Sequence, residues 1–358
     1  MHVKRTLLIC LLAGHTLLAY AEENVANNLV ASSDHSMLVN EIFPFVSEDS
    51  APDVEHDTPG LPDTRGDQEF HPEGGTSSSG GELWTGLKLE RDLHSQKPLK
   101  TGPAPRLHSA IALIYDQETQ RPLYTKNANE RASIASITKL MTAMVVLDAL
   151  QPLSELISIE VSDIDRIKRT PSRLGVGMTF TRSEMMSLAL MSSENRAALA
   201  LARTYPGGTV ALVEAMNTKA RELGMEHTHF VDPAGLNSGN VSTAQDLVKM
   251  VAAARRYSLI HQYTTASSNS VDGLGGRVMR FINTNPLVRN VGWNIGISKT
   301  GFINEAGRCL VMEAVINQRS VIIVLLNSWG KRTRIGDANR IKRWMESADT
   351  RSRASRRS

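Results

Sequence analysis

Apolar residues recur along the central part of the chain with two different rhythms, and these rhythms predict its elements. Positions 137, 140, 141, 144 and 145 fall on one helical face, so a helix is expected to open near Ser136 and run to about Asp148. Residues 108–115 form a near-continuous apolar run that predicts a buried strand. A polar turn over 116–120 and a return strand over 121–125 follow. Residues 181–204 read as two helices broken at Ser192-Ser193-Glu194-Asn195. The stretch 207–223 predicts an amphipathic helix stopped by Gly224, and Ser242-Thr-Ala-Gln245 reads as a capping-box start for a helix to Tyr257. Three further strand-like runs, 294–300, 308–316 and 320–326, precede a closing helix over 333–345. Strands at both ends with helices between them predict an α+β domain over 107–346 whose terminal segments share one antiparallel sheet.

The flanks lack this periodicity. Lys4 and Arg5, an apolar run from Leu7 to Leu18, and Ala19-Tyr20-Ala21 read as a secretory signal over 1–21, which implies export to the periplasm. That run falls short of the roughly 18 residues of a membrane span, and no other run reaches it, so no integral span is expected. Residues 22–106 read as a disordered tether. Its first part, 22–82, holds 14 acidic residues against the single basic Arg65 and ends in a Gly- and Ser-rich run. Such a composition buries too little apolar surface to offset the entropy of ordering. Glu41-Ile-Phe-Pro-Phe-Val46 is its apolar island and fits a short docking segment, while Leu83-Trp-Thr-Gly-Leu-Lys-Leu89 fits a strap packed on the domain. Residues 347–358 read as a basic, solvated tail.

Charge and cysteine usage narrow the function. Residues 83–358 carry 37 basic against 23 acidic side chains, a formal +14, so an exported anionic polymer suits the domain and the acidic segment suits a role in shielding it. Nucleic acid is disfavoured by export and by the lack of basic motifs interleaved with aromatics. Cys309 is the one cysteine beyond the signal and sits in an apolar run, which leaves no intrachain disulfide and no cysteine-type zinc site. His227 and His229 lack a third ligand, so neither metal nor cofactor is expected. The 14 methionines fit core filling better than a binding stripe.

Three short signals carry chemistry. Ser136 and Lys139 share a helix face, and a hydroxyl beside an amine there fits an activated nucleophile; it equally fits a Ser N-cap followed by an incidental lysine. Ser193-Glu-Asn195 sits at an inter-helix break, and Lys299-Thr-Gly301 ends a strand pattern. Each signal has a second copy, at Ser328–Lys331, Ser267–Asn269 and Lys100–Gly102, but those copies stand in unsuitable settings. The first three occur in the order Ser-x-x-Lys, Ser-x-Asn, Lys-Thr-Gly, and the conjunction is far more specific than any member.

This ordered triplet resembles the signature of penicillin-binding proteins and β-lactamases. The stretches Ile134-Ala-Ser-Ile-Thr-Lys-Leu-Met141, Phe230-Val-Asp-Pro-Ala-Gly-Leu236, Asn240-Val-Ser-Thr-Ala244 and Lys299-Thr-Gly-Phe-Ile-Asn-Glu-Ala-Gly307 are similar to low-molecular-mass D-alanyl-D-alanine peptidases. Glu194 between Ser193 and Asn195 resembles their endopeptidase branch, of the penicillin-binding protein 7 type, where the carboxypeptidases usually carry Gly. The resemblance spans about 107–346 and lacks the family's second β domain and its anchor helix. It implies a transpeptidase-like fold and hydrolysis of D-alanyl cross-links in peptidoglycan, with β-lactams as covalent inhibitors. Ser136 would be the acyl-accepting nucleophile and Lys139 its base, kept neutral by burial and by the nearby cation Lys299. Ser193 would relay the proton, and Asn195 would orient Lys139 and the substrate. Lys299 and Thr300 would bind the substrate's carboxylate region, with Gly301 letting it lie close. The backbone N–H groups of Ser136 and Phe302 would form the oxyanion hole. A carboxypeptidase uses the same residues; a β-lactamase would need a water-activating Glu that is not evident, and a silent wall-binding module remains the alternative from another class.

Overall fold

The computed structural model describes residues 103–355. The expected signal segment, the docking island, the strap at 83–89 and the rest of the tether up to 102 lie outside the described residues, as do residues 356–358. In chain order, β1 (Ile111–Asp116) and β2 (Arg121–Lys126) form a hairpin, and β3 (Ala132–Ser133) leads into a 3-10 turn (Ala135–Thr138) and α1 (Lys139–Asp148). β4 (Leu156–Ser158) and β5 (Thr179–Thr181) bracket a long loop before α2 (Arg182–Met191), α3 (Asn195–Arg203) and α4 (Gly208–Glu222). β6 (Val241–Ser242) pairs with β3, and α5 (Ala244–Ala254) and α6 (Ser258–Thr265) follow. The hairpin of β7 (Ser268–Asp272) and β8 (Val278–Ile282) precedes β9 (Asn294–Ile303), β10 (Gly307–Ile316), β11 (Arg319–Ser328) and α7 (Thr333–Ser355).

Five strands join in the order β2-β1-β11-β10-β9, every neighbour antiparallel, so the terminal segments do share one sheet. Both faces of this sheet are covered, which is why its central strands read as continuous apolar runs. On β11, Ile322, Val324 and Leu326 enter the core shared with the helices, while Val321, Ile323 and Leu325 pack with Ala338, Ile341, Trp344 and Met345 of α7. Period-two alternation thus distributes one apolar strand between two cores. Asp337, fully buried on α7, accepts the Ser109 N–H at 2.7 Å and the His108 N–H at 3.0 Å. That clamp takes the N–H groups of 108 and 109, and β1 begins at Ile111 rather than at 108.

Other boundaries shift for local reasons. α5 is capped by Thr243, whose hydroxyl accepts the Asp246 N–H at 3.2 Å, so the cap stands one residue beyond the expected Ser242. α7 runs to Ser355, past the expected stop at 345. α2 opens on a capping box between Thr181 and Glu184 and ends at Met191; Ser193 then turns the chain with φ +63° before α3 begins at Asn195. The break expected at 192–195 is therefore present, and its Asn195 reaches Lys139 beside Ser136.

Candidate active site

Ser136 is not a helix N-cap. It is half-buried inside the 3-10 turn, which makes no side-chain cap, and α1 starts only at Lys139. The preceding Ala135 has φ +46°, a left-handed conformation that costs an L-residue and persists only where its surroundings impose it. Those surroundings are visible. Ile134 N–H donates to Asn240 O at 3.0 Å, Thr138 Oγ1 donates to Ala135 O at 2.8 Å, and Asn240 Nδ2 donates to Thr138 Oγ1 at 3.0 Å. Asn240 Nδ2 also reaches Asp232 O at 2.8 Å, which ties in the turn Asp232-Pro-Ala-Gly-Leu236. The Asp232 carboxylate organises that turn by accepting the N–H groups of Ala234, Gly235, Leu236 and Asn237.

Lys139 is 1% exposed and its Nζ has three partners: Ser136 Oγ at 2.8 Å, Asn195 Oδ1 at 2.7 Å and Ala234 O at 2.8 Å. Burial lowers the ammonium from the usual lysine range to about 7, against the pull of the Asp232, Glu194 and Asp165 carboxylates. Lys299, equally buried, is held well below the lysine range by burial first, then by Lys139 and Arg334. Removal from water is thus the leading cause at both lysines, and the mutual repulsion of the two amines adds to it.

The opposite wall carries Ser193 and Asn195. Lys299 Nζ lies 2.8 Å from Ser193 Oγ and donates to Thr300 O at 3.0 Å. The orientation of Asn195 follows from its far neighbours. Asp165 can only accept, so Thr170 Oγ1 donates to it at 2.7 Å and is left to accept from Asn195 Nδ2 at 2.8 Å. The Asn195 oxygen must then face Lys139. Burial alone would raise the Asp165 carboxyl, but bonds from Thr170, Lys168 and Ile167 outweigh it and hold it below the usual range.

On the sheet side, β9 is an edge strand, leaving one row of its backbone groups without a strand partner. A Cβ on Gly301 would stand 2.8 Å from Ile134 O and 3.1 Å from Ser136 N, so only glycine allows β9 to pack against the Ser136 turn. Thr300 Oγ1 donates to Thr284 Oγ1 at 2.7 Å, and its proton must leave that bond to meet a ligand carboxylate. Phe302 is 49% exposed, with the Arg308 guanidinium 4.4 Å from its ring centre.

The structure brings Ser136, Lys139, Asn195, Ser193 and Lys299 together through these contacts, with Thr300, Gly301 and Phe302 on the adjoining strand. It also adds residues that no short pattern marked. Asp165 and Thr170 reach the site only by folding of the β4–β5 loop. Arg334 of α7 is 8% exposed, its Nε and Nη1 have no partner among the described residues, and burial, then Arg308, lowers it to about 10. The duplicate signals fail: Ser328 is buried at the end of β11 against Ser109 Oγ at 2.8 Å, and Asn269 donates to Ser187 Oγ at 3.1 Å. Lys100 lies outside the described residues. Cys309 is buried and its thiol is pushed up to about 11 by burial, as suits an inert core residue.

A family model described as D-alanyl-D-alanine carboxypeptidase matches residues 99–330. A D-alanyl-D-alanine endopeptidase of Pseudomonas aeruginosa is 46% identical over 267 residues, covering 74% of this chain and 86% of the relative. One of the same name from Escherichia coli is 45% identical over 247 residues, covering 69% and 80%. Among solved structures, the DD-transpeptidase of Streptomyces K15 superposes with a TM-score of 0.63 at 29% identity, over 68% of this chain and 98% of that one.

Proposed function

The chain belongs to the D-alanyl-D-alanine carboxypeptidase family of serine peptidases, and on that premise we propose that it is an exported D-alanyl-D-alanine endopeptidase acting on peptidoglycan cross-links through Ser136. The observation that carries this reading is the coordination of Lys139 Nζ. A neutral amine has two N–H groups and one lone pair. Asn195 Oδ1 and Ala234 O are pure acceptors and take the two N–H groups, which leaves the lone pair for the Ser136 hydroxyl proton. Burial supplies the neutral form near pH 7.

Ser136 Oγ then attacks the carbonyl carbon of a D-alanyl peptide bond while its proton passes to Lys139. The backbone N–H groups of Ser136 and Phe302 hold the developing oxyanion, for which the close seating of Gly301 on the turn is suited. As the C–N bond breaks, the proton taken up by Lys139 passes through Ser193, which is bonded to Lys299, to the leaving amine, and Lys139 is neutral again. Water, deprotonated by Lys139, hydrolyses the ester and restores Ser136. Thr300, Lys299 and the Arg334 N–H groups that have no partner among the described residues offer hydrogen-bond donors to the substrate's carboxylate or carbonyl region. The substrate main chain lies along the open edge of β9. A β-lactam acylates the same serine, and because its leaving amine stays tethered the ester persists.

The signal-like sequence at 1–21 supports a periplasmic location with cross-linked stem peptides as partners, and no helix of the described residues is long and apolar enough to cross a membrane. Digestion of purified cross-linked muropeptides tests the substrate. Conversion of dimers to monomers is expected; release of free D-alanine with dimers intact would instead make it a carboxypeptidase.

A further inference from the structure

We propose that Thr284 is a positioning residue of the peptidase reaction, whose hydroxyl sets the direction in which Thr300 Oγ1 donates. This inference rests on the reading of the chain as a D-alanyl peptidase. Thr284 stands in the segment Asn283-Thr284-Asn285, on the connection from β8 to β9.

The segment holds one exposed side chain between two buried ones. Asn283 is 5% exposed and Asn285 fully buried, whereas Thr284 is exposed. Asn283 Nδ2 donates to Thr264 O at 2.9 Å and Ala266 O at 2.8 Å, and its Oδ1 accepts the Asn285 N–H at 2.9 Å. Asn285 Oδ1 accepts the Leu287 N–H at 3.1 Å, and its Nδ2 donates to Ser298 Oγ of β9 at 2.8 Å. Buried amides bonded in this way resist displacement, because a shift leaves polar groups without partners. Thr284 is thereby fixed between both walls of the site. Its N–H donates at 3.1 Å to Met191 O, a carbonyl left open at the end of α2, two residues before Ser193. Its Oγ1 accepts from Thr300 Oγ1 at 2.7 Å.

The protons of this pair are constrained. A hydroxyl has one proton and two acceptor lone pairs. The Thr284 proton points to Met191 O over a long 3.4 Å, which makes Thr300 the donor within the pair. A substrate carboxylate or carbonyl oxygen can only accept, so Thr300 turns its proton away from Thr284 to meet it. Two hydroxyl oxygens left 2.7 Å apart with no proton between them repel. Thr284 removes that repulsion by turning its own proton onto Thr300 Oγ1. Little is lost, because Met191 O keeps the shorter bond from the Thr284 N–H. Both protons stay on their own oxygens and no heavy atom moves. Thr300 then accepts from Thr284 while it donates to the substrate, and a hydroxyl that accepts one hydrogen bond donates a stronger one.

The test is the second-order rate of Ser136 acylation by a chromogenic β-lactam, whose carboxylate is such an acceptor. Thr284→Val keeps the side-chain shape and the backbone bond to Met191 but deletes the hydroxyl. The rate should fall about tenfold, the worth of roughly one hydrogen bond, and Thr284→Ser should keep most of it. In a Thr300→Val background, Thr284→Val should change the rate by less than about twofold, because the two residues act through one contact. The pH at which Lys139 becomes active should stay where it is in Thr284→Val, since neither hydroxyl titrates there; a structural role acting through the Ser193 turn would move it. No loss in Thr284→Val, the same loss with and without Thr300, no rescue by serine, or a moved pH dependence would each overturn the proposal. A wild-type enzyme that the β-lactam does not acylate counts instead against the peptidase reading itself.

Discussion

Gly235 lies so close beneath the turn that leads into Ser136 that a Cβ built on it would stand 1.9 Å from the Ala135 carbonyl oxygen. Gly235 has φ +77° and Ala135 φ +46°, so two left-handed residues pack backbone to backbone directly before Ser136. The carboxylate of Asp232 holds one side of this contact and Asn240 ties it to the other. The turn Asp232-Pro-Ala-Gly-Leu236 thus sets the position of Ser136 and supplies the Ala234 carbonyl to Lys139.

Gly235→Ala has no local escape, because the obstructing atoms are backbone. It should destabilise the domain by at least about 2 kcal/mol and abolish penicillin acylation even where the protein stays folded. Urea unfolding with parallel labelling checks both effects; a folded, labelling-competent Gly235→Ala would mean the turn is less constrained than its contacts imply.

Acylation should depend on pH with a defined sign. Lys139 acts as a base only when neutral, and burial brings it to about 7. The acylation rate should therefore rise through pH 7 and level off above it, rather than climb toward the usual lysine range near 10.4. Stopped-flow acylation by a chromogenic β-lactam between pH 5 and 10 measures this limb.

Two charge changes should move that limb in opposite directions. Glu194 pulls the Lys139 ammonium upward, so Glu194→Gln should shift the limb to lower pH while the amide keeps its hydrogen bond with Ser172 Oγ. Because the repulsion between the two amines is mutual, removing the Lys299 amine in Lys299→Met should favour protonation of Lys139 and shift the limb to higher pH, with slower acylation at neutral pH. An unmoved limb in both variants would remove electrostatics from the control of the base.

Thr170→Val keeps the shape of the side chain but deletes the hydroxyl that fixes the Asn195 amide. Asn195 is then free to present its NH2 group to Lys139, and acylation should slow by roughly tenfold, the worth of about one hydrogen bond to a charged group. A change in the pH limb beyond the change in rate separates this positioning role from a loss of stability.

Much of the site was legible because its chemistry lies in short, ordered patterns. Ser136 and Lys139 are three residues apart on one helical turn, and Lys299 to Gly301 lie on one apolar strand, so local spacing carries them. Asp165, Thr170 and Arg334 escaped because they reach the site through the β4–β5 loop and the last helix. No periodicity marks such loop residues, and the Thr170–Asn195 contact spans 25 residues of separation. The fold shows the same division. The apolar runs of β10 and β11 predict strands directly, whereas α6 and the β7–β8 hairpin are short, half-polar elements that owe their structure to packing against α2 and β9. The N-cap reading of Ser136 fails because tertiary contacts from Asn240 and Gly235 tighten the first turn to 3-10 geometry.

The most direct test of the central claim is peptide mapping by mass spectrometry after brief exposure to benzylpenicillin. One penicilloyl adduct on Ser136 is expected, absent in Ser136→Ala and strongly reduced in Lys139→Met. An adduct on any other residue, or labelling that survives Ser136→Ala, would contradict it.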